Sequence, residues 1–354
     1  MKNIQIDPPT IISLDITYKC TLRCLHCFNS SGEHDEGLKE LSDDEILNLC
    51  NEIIKIKPST VCICGGEALL RKELVYKIIR KIREGTNNHT DINMVTNGEL
   101  LSLDVAKSLK ECGINLVQVS LDGAKAETHE WLRGKKGAFN SAVNAIKNLR
   151  KYDIMVGVSC TPTKKNINEY KDALILCEEL GVASFRVQPL MLMGRAEKNL
   201  KEYVPNYLDY MSVQKTLKNH NFDKSNKMMT EWGDPIDHLT NASMDSWNES
   251  ISIGIDAYGN IQISPYIPIR VGNIRRHTLI EYWENGLSEI WGVPFVKSLC
   301  KEIKSSEDME LNNRFNNLPK NYVVKQFDVD LIDRKNFKNL TLSELLGESR
   351  GQNE

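Results

Sequence analysis

Three cysteines, Cys20, Cys24 and Cys27, crowd into one short stretch of a 354-residue chain, while Cys50, Cys62, Cys64, Cys112, Cys160, Cys177 and Cys300 are scattered. Thiolates are soft ligands that select zinc or iron–sulfur centres over magnesium or calcium. Spacings of three and two intervening residues let a single loop wrap a compact centre of this kind. Three ligands leave one position open. A structural zinc site closes with four ligands and would have to recruit His26, His34 or a distant residue. A four-iron cubane on three cysteines instead keeps one iron free for a substrate or cofactor. Packing thiols that hold nothing are the third reading.

Other chemistry-bearing groups follow the cysteines in order. Gly65 and Gly66 lack side chains, so their backbone can approach a neighbour closely and take positive φ, and Glu67 adds an acceptor. Asn97, Ser120 and Asp122 carry short polar side chains of the kind that also serve turns and helix caps. The guanidinium of Arg133 suits a two-pronged carboxylate contact. Cys50, Cys112 and Cys177 sit in apolar helical registers and read as small buried hydrophobes. Cys62 and Cys64 share one strand face and Cys160 ends a strand; these read as packing residues first, with an approach to a cavity as the alternative, and no cysteine is identified as a hydrogen-atom donor. No side chain is assigned a catalytic role by its sequence context.

The elements that must position these groups alternate. Short apolar runs recur at Ile11 to Ile16, Thr60 to Cys64, Asp91 to Thr96, Leu116 to Leu121, Ile154 to Cys160 and Phe185 to Leu190. Between them helices are expected over Ser42 to Ile56, Lys72 to Glu84, Leu103 to Cys112, Phe139 to Tyr152 and Asn168 to Leu180, and Ser42 with Glu45 makes a capping box. Six β/α units predict an α/β fold with a parallel sheet, curled into a partial (β/α)6 barrel or left open, with ligands beyond the carboxyl ends of the strands. Residues 1–195 form this unit, and 196–250 read as a polar connector of helices and loops. A small α+β module spans 251–303, with a hairpin around Tyr258-Gly259-Asn260 and a helix over Thr278 to Trp291. Residues 304–354 form a polar tail with one helix near Thr341 to Leu346.

Composition bounds the partners. Forty-five Lys and Arg against 48 Asp and Glu leave a net charge of −3, which gathers neither nucleic acid nor acidic lipid. No apolar stretch is long enough to span a membrane, and Met1 to Pro9 lacks the regions of a signal peptide, so a cytoplasmic protein with reduced thiols is expected.

The motif Cys20-x3-Cys24-x2-Cys27, with His26 in the aromatic position before the third cysteine, resembles the signature of the radical S-adenosylmethionine (SAM) enzymes. The likeness continues in order through Gly65-Gly66-Glu67, Thr96-Asn97-Gly98 and Ser120-Leu121-Asp122-Gly123, and covers about Ile12 to Ala196. Ala68 departs from it, standing where that family usually has proline. The resemblance implies one [4Fe-4S] cluster on Cys20, Cys24 and Cys27. It implies a SAM site in which Gly65, Gly66 and Glu67 meet the amino group, and Asn97, Ser120 and Asp122 bond ribose. Arg133 would then hold the methionyl carboxylate, and His26, Val187 and Gln188 would border the adenine. Gly194-Arg195-Ala196 resembles a short motif common after the sixth strand.

Residues 251–303 resemble the SPASM-type extension of radical SAM maturases, with Ser264 in a usual cysteine position before Pro265. Only Cys300 follows Cys177, too few for an auxiliary four-iron cluster. Tyr258, Tyr266, Trp283 and Trp291 read as that module's own core. By analogy the implied activity is reductive cleavage of SAM to a 5′-deoxyadenosyl radical that abstracts hydrogen from a substrate. Reduced flavodoxin or ferredoxin would supply the electron. A ribosomally made peptide undergoing crosslinking, epimerisation or oxidation is the first substrate reading, and a sugar, nucleoside or haem precursor the second. No winged-helix segment precedes the barrel, so a peptide would call for a separate leader-recognition protein. A zinc-stabilised scaffold and an iron–sulfur electron carrier or sensor are the non-enzyme readings.

Overall fold

Alternation along each strand sorts its side chains between two environments. In β1 (Ile11–Asp15) the residues Ile12 and Leu14 are fully buried, whereas Ser13 and Asp15 face the other way and are only half covered. The same alternation runs through β2 (Thr60–Cys64), β3 (Asp91–Thr96) and β4 (Leu116–Ser120). Val61, Ile63, Ile92, Met94, Val117 and Val119 join the main core with residues of α1 (Asp43–Ile56), α2 (Lys72–Gly85) and α3 (Leu103–Cys112). The opposite face carries Ser13, Asp15, Cys64, Val95 and Ser120 into a cavity. One period thus produces both the packed layer and the polar interior.

The computed structural model describes residues 7–34, 38–223, 225–267, 269–306, 308 and 327–344. Helices α4 (Ala126–Arg133) and α5 (Ala138–Arg150) precede β5 (Met155–Cys160), and α6 (Tyr170–Glu179) precedes β6 (Ser184–Val187). The strands β1 to β6 pair in sequence order and in parallel, as six β/α units require. The capping box on α1 is present, with Ser42 Oγ accepting from Glu45 N and Glu45 Oε2 accepting from Ser42 N. Helix α4 has no counterpart in the expected set; eight residues that include Glu127, Glu130 and Arg133 show too little apolar period to be recognised.

The remaining elements extend this sheet at both edges. After α7 (Arg195–Asn199) and α8 (Tyr207–Phe222), strand β7 (Met229–Trp232) pairs in parallel with β6, so the expected connector of helices and loops contains a strand. Asn221 caps its outer edge, donating to Thr230 O and accepting from Thr230 N. Helix α9 (Pro235–Ala242) leads to β8 (Ser252–Ile255) and β9 (Asn260–Gln262), the expected hairpin. Strand β8 pairs with β1, and the ten-stranded order is β11-β9-β8-β1-β2-β3-β4-β5-β6-β7. The second module therefore shares the sheet of the first.

Beyond β10 (Ile269–Arg270) and β11 (Gly272–Asn273), the helix expected over Thr278 to Trp291 breaks at Gly286, whose φ is +124°. It yields α10 (Leu279–Glu284) and a 3-10 turn, followed by α11 (Pro294–Glu302). Trp283, Trp291 and Tyr258 are buried as expected, while Tyr266 reaches Gln188 at the cavity. In the tail, β12 (Phe327–Asp328) pairs with β10, and Val329, Leu331, Phe337 and Leu340 enter the main core. Of the helix expected there, residues 342–344 are helical and 345–346 lie outside the described residues.

Phe337 is 2% exposed and meets Phe295 edge-on at 5.4 Å. Phe337→Ala should destabilise the protein by about 3 to 5 kcal/mol, read from chemical denaturation, because the tail segment is core and not appendage.

Candidate active site

A cavity of about 420 Å³ lies among the carboxyl ends of the strands, roofed by the cysteine loop. The loop is set by main-chain bonds. Past the end of β1, Ile16 N donates to Cys64 O at 3.1 Å, Gly66 N to Thr17 O at 2.7 Å and Glu67 N to Lys19 O at 2.9 Å. A Cβ on Gly65 would collide with Thr17 O, and one on Gly66 with Lys19 O; Gly65 also has φ +136°. The paired glycines therefore admit the loop's own backbone, whatever else they face in the cavity.

The other side of the loop is held from later elements. Leu25 N donates to Leu132 O, and Arg195 N to Cys27 O. The buried Arg195 side chain donates from Nε to Cys24 O at 2.8 Å and from Nη1 to Ser31 O at 2.9 Å. Gly194 permits this approach, because a Cβ there would strike Phe28 O. Asn97 Nδ2 donates to Thr21 Oγ1 at 3.1 Å, and Arg23 Nη1 to Cys20 O.

Cys20, Cys24 and Cys27 all line the cavity. Burial pushes the Cys27 thiol up to about 11, against the pull of Arg195, and burial likewise raises Cys20. Ligand binding there must expel protons, as metal–thiolate formation does. Three soft sulfurs on one loop suit an iron–sulfur cluster, whereas a closed zinc site needs a fourth ligand. His34, one candidate fourth ligand, is engaged elsewhere: Nε2 meets Asn29 O at 2.6 Å, Nδ1 meets Tyr258 Oη at 3.2 Å, and the ring packs on Tyr18.

His26 lines the cavity, and its buried Nδ1 has no partner. Burial lowers its pKa to about 4 despite Asp122 nearby, so the ring is neutral at pH 7. An orphaned ring nitrogen in a cavity wall is a place for a polar group of a ligand.

The structure also brings Gly65, Gly66, Asn97, Ser120, Arg133 and Gln188 to the cavity, as the sequence leads one to expect. Glu67 and Asp122 are not among its lining residues. The Glu67 carboxylate is fully buried and accepts from Thr96 Oγ1 at 2.9 Å, Asn97 N at 2.9 Å and Leu69 N at 3.1 Å, joining the ends of β2 and β3. Asp122 accepts from Arg133 Nε at 2.6 Å and Thr161 N at 3.0 Å. Burial works to raise its pKa, but Arg133, His26, His129 and that amide together hold it down at about 2. These two carboxylates brace the walls and are each engaged by protein donors. Arg133 is correspondingly half committed, with Nη1 3.9 Å from Cys24 Sγ.

Three further cavity groups were not assigned to the site from sequence, and Asp15 was missed outright. Asp15 and Cys64 end neighbouring strands as register partners and both line the cavity. Burial and the carboxylate of Asp256 raise Asp15 to about 7, against a hydrogen bond with Tyr18. A charged residue at the carboxyl end of an apolar strand was the available signal. Cys64, expected to be a packing residue, is half-buried in the wall, whereas Cys50, Cys112, Cys160 and Cys177 are buried as expected. Arg195, known only through a motif likeness, proves to be the clamp on the cysteine loop.

Comparison with known proteins follows the same segment. Residues 14–184 match the model of the radical SAM superfamily. AdoMet-dependent heme synthase of Methanosarcina barkeri strain Fusaro is 29% identical over 298 residues, covering 78% of this chain and 82% of that protein. Mycofactocin maturase MftC of Mycolicibacterium smegmatis is 31% identical over 191 residues, covering 54% of this chain and 47% of its own length. The fold is similar to that of Streptococcus suis SuiB bound to its precursor peptide SuiA, with TM-score 0.62 and 14% identity over 78% of this chain and 65% of that one. The chain thus spans about half of MftC and just under two thirds of SuiB.

Gly66→Ala should cut the iron bound on anaerobic reconstitution to below half that of the wild type, since its methyl displaces Lys19 and with it Cys20. Gly137, at φ +89° with open space for 4 Å around the point where a methyl would stand, is the control: Gly137→Ala should cost about 1 to 2 kcal/mol of stability and leave iron binding intact. Because the folded pKa of Asp15 lies above its unfolded value, its proton supports the fold at low pH and that support is lost as pH rises from about 4 to about 7. The stability gained by Asp15→Asn over wild type should grow by about 2 kcal/mol between roughly pH 5.5 and 8.5, measured by denaturant unfolding.

Proposed function

As a radical SAM enzyme with its domain at residues 14–184, the chain belongs to a family that uses a [4Fe-4S] cluster and SAM, and we propose that it acts on a ribosomally made peptide. The observation that carries the reading is the placement of Cys20, Cys24 and Cys27 on one clamped loop, facing one cavity, with His34 engaged by Asn29 and Tyr258 rather than turned to them as a fourth ligand. Bound there, the cluster and SAM supply a 5′-deoxyadenosyl radical able to abstract hydrogen from carbon. The chain's own residues provide the rest. Cys20, Cys24 and Cys27 would hold the cluster. Gly65, Gly66, Asn97 and Ser120 would border SAM, Arg133 Nη1 would meet its carboxylate, and His26 Nδ1 and Gln188 would meet the adenine. Glu67 and Asp122 serve this site through the walls they brace. Residues 251–303 act as a SPASM-like cover that carries no second cluster, since Ser264 and Pro265 complete the cavity wall.

The rest of the lining supports a peptide. Ser13, Ser159, Ser252, Gln188, Gln262 and Ser264 are neutral hydrogen-bonding groups suited to amides. The two lining arginines are already engaged, Arg133 by Asp122 and Arg195 by loop carbonyls and Glu33, so little positive charge is left for a substrate rich in carboxylates. The competing reading, a haem precursor, is favoured by the longer span of similarity to heme synthase. Electrons would come from reduced flavodoxin or ferredoxin, and a separate protein would present the peptide's leader.

Anaerobic reconstitution followed by dithionite and SAM should yield 5′-deoxyadenosine, and Cys24→Ala should abolish it. A peptide encoded by a short open reading frame beside the gene should accelerate its formation. Acceleration by an iron porphyrin precursor, with none by the peptide, would replace the peptide reading with the haem one.

A further inference from the structure

The cavity wall holds a thiol that the cluster loop does not use. Cys62 and Cys64 stand two apart on β2, so both side chains leave the same face of the strand, and their sulfurs lie 3.4 Å apart. Cys64 shares the cavity with the three loop cysteines, while Cys62 stands behind it and is not a lining residue. Asp15 is the register partner of Cys64 on β1, and Ser13 and Asn93 flank Cys62 on β1 and β3. The hydrogen bond between the sulfurs lowers Cys62 and raises Cys64 well above the ordinary thiol, and burial and Asp15 push Cys64 further the same way. Arg186 also lowers Cys62, against burial and Asp15, which raise it. The cavity therefore meets a protonated thiol with a second sulfur 3.4 Å behind it. Its S–H bond is weaker than any O–H or N–H bond that the serines and glutamines of the wall present.

We propose that Cys64 is a catalytic hydrogen-atom donor, returning hydrogen to a carbon-centred substrate radical so that the substrate leaves as an isomer or epimer. This rests on the radical SAM reading above and assigns it an outcome. In the step the Cys64 S–H bond breaks homolytically and a substrate C–H bond forms. The unpaired electron is left on the Cys64 sulfur, beside Cys62. One electron from the same flavodoxin or ferredoxin type of carrier, and one proton passed from the Asp15 carboxyl, restore the Cys64 thiol.

An isotope measurement tests it. On the reconstituted protein in D2O, with dithionite, SAM, no substrate and no added thiol, Cys64 exchanges to S–D and the 5′-deoxyadenosine released should carry deuterium at its 5′ carbon. The deuterated fraction, not the amount of product, is the readout. It should drop by about an order of magnitude in Cys64→Ser and Cys64→Ala, both checked for iron content, and stay unchanged in Cys112→Ser, whose thiol does not line the cavity. An equal fraction in Cys64→Ser, or an undeuterated wild-type product, overturns the donor assignment and leaves the radical SAM reading standing. Absence of 5′-deoxyadenosine from loaded wild type overturns that reading itself.

Discussion

The backbone of Thr17 to Lys19 runs on from β1 against Gly65 and Gly66 so closely that neither glycine can carry a methyl group. Everything at the centre of this protein depends on that approach. Three sulfurs on a flexible loop would sample many separations, and a cluster would bind at the expense of ordering them. Here the hydrogen bonds from Gly66 N and Glu67 N to the loop's carbonyls settle the position of Cys20 in advance. Arg195 does the same for Cys24 and Cys27 from the opposite side, donating to the carbonyl of one and the backbone of the other's neighbourhood. The loop is preorganised by its main chain, while its thiols meet side chains: Cys20 meets Asn97, Cys24 meets Arg133 and Cys27 meets Asn29.

The second constraint is electrostatic. A buried guanidinium beside thiols is costly unless paired, and Asp122 pairs it at 2.6 Å with neither group exposed by more than a tenth. Breaking the pair would leave a buried charge alone, so Asp122 reaches the chemistry through Arg133 and His26. Glu67 stands in a similar relation to Asn97, whose amide it receives and whose side chain steadies Thr21. In both cases a carboxylate that resembles a ligand group supports the residues that line the cavity.

Much of this was legible in the chain. Six apolar runs with intervening helical periods imply a parallel β/α sheet, because the two periods, 2 and 3.6, are local properties of side-chain spacing. The hairpin around Tyr258-Gly259-Asn260 is equally local. Its partner was not: β8 joins β1 from some 240 residues away, and β7, four residues in a polar stretch, earns its strand only by lying beside β6. Gly286 stopped the helix after Thr278 early for a backbone reason visible only in its positive φ. The tail looked polar, yet its few apolar residues at 327–340 all point one way, into the core.

The sequence by itself determined that three thiolates would share one loop at the end of the first strand, since ligand type and spacing are covalent facts that no packing can alter. It determined likewise which strand ends would carry Gly65, Asn97, Ser120 and Gln188. Only the tertiary structure decided which polar groups the cavity would receive and which the protein would consume. Glu67 and Asp122 found donors within the chain and were withdrawn, while Asp15 and Cys64 turned inward on adjacent strands and were exposed to the cavity. The physical reason is that a hydrogen-bonding group serves whichever partner satisfies it first at close range, and those partners come from elements far apart in sequence.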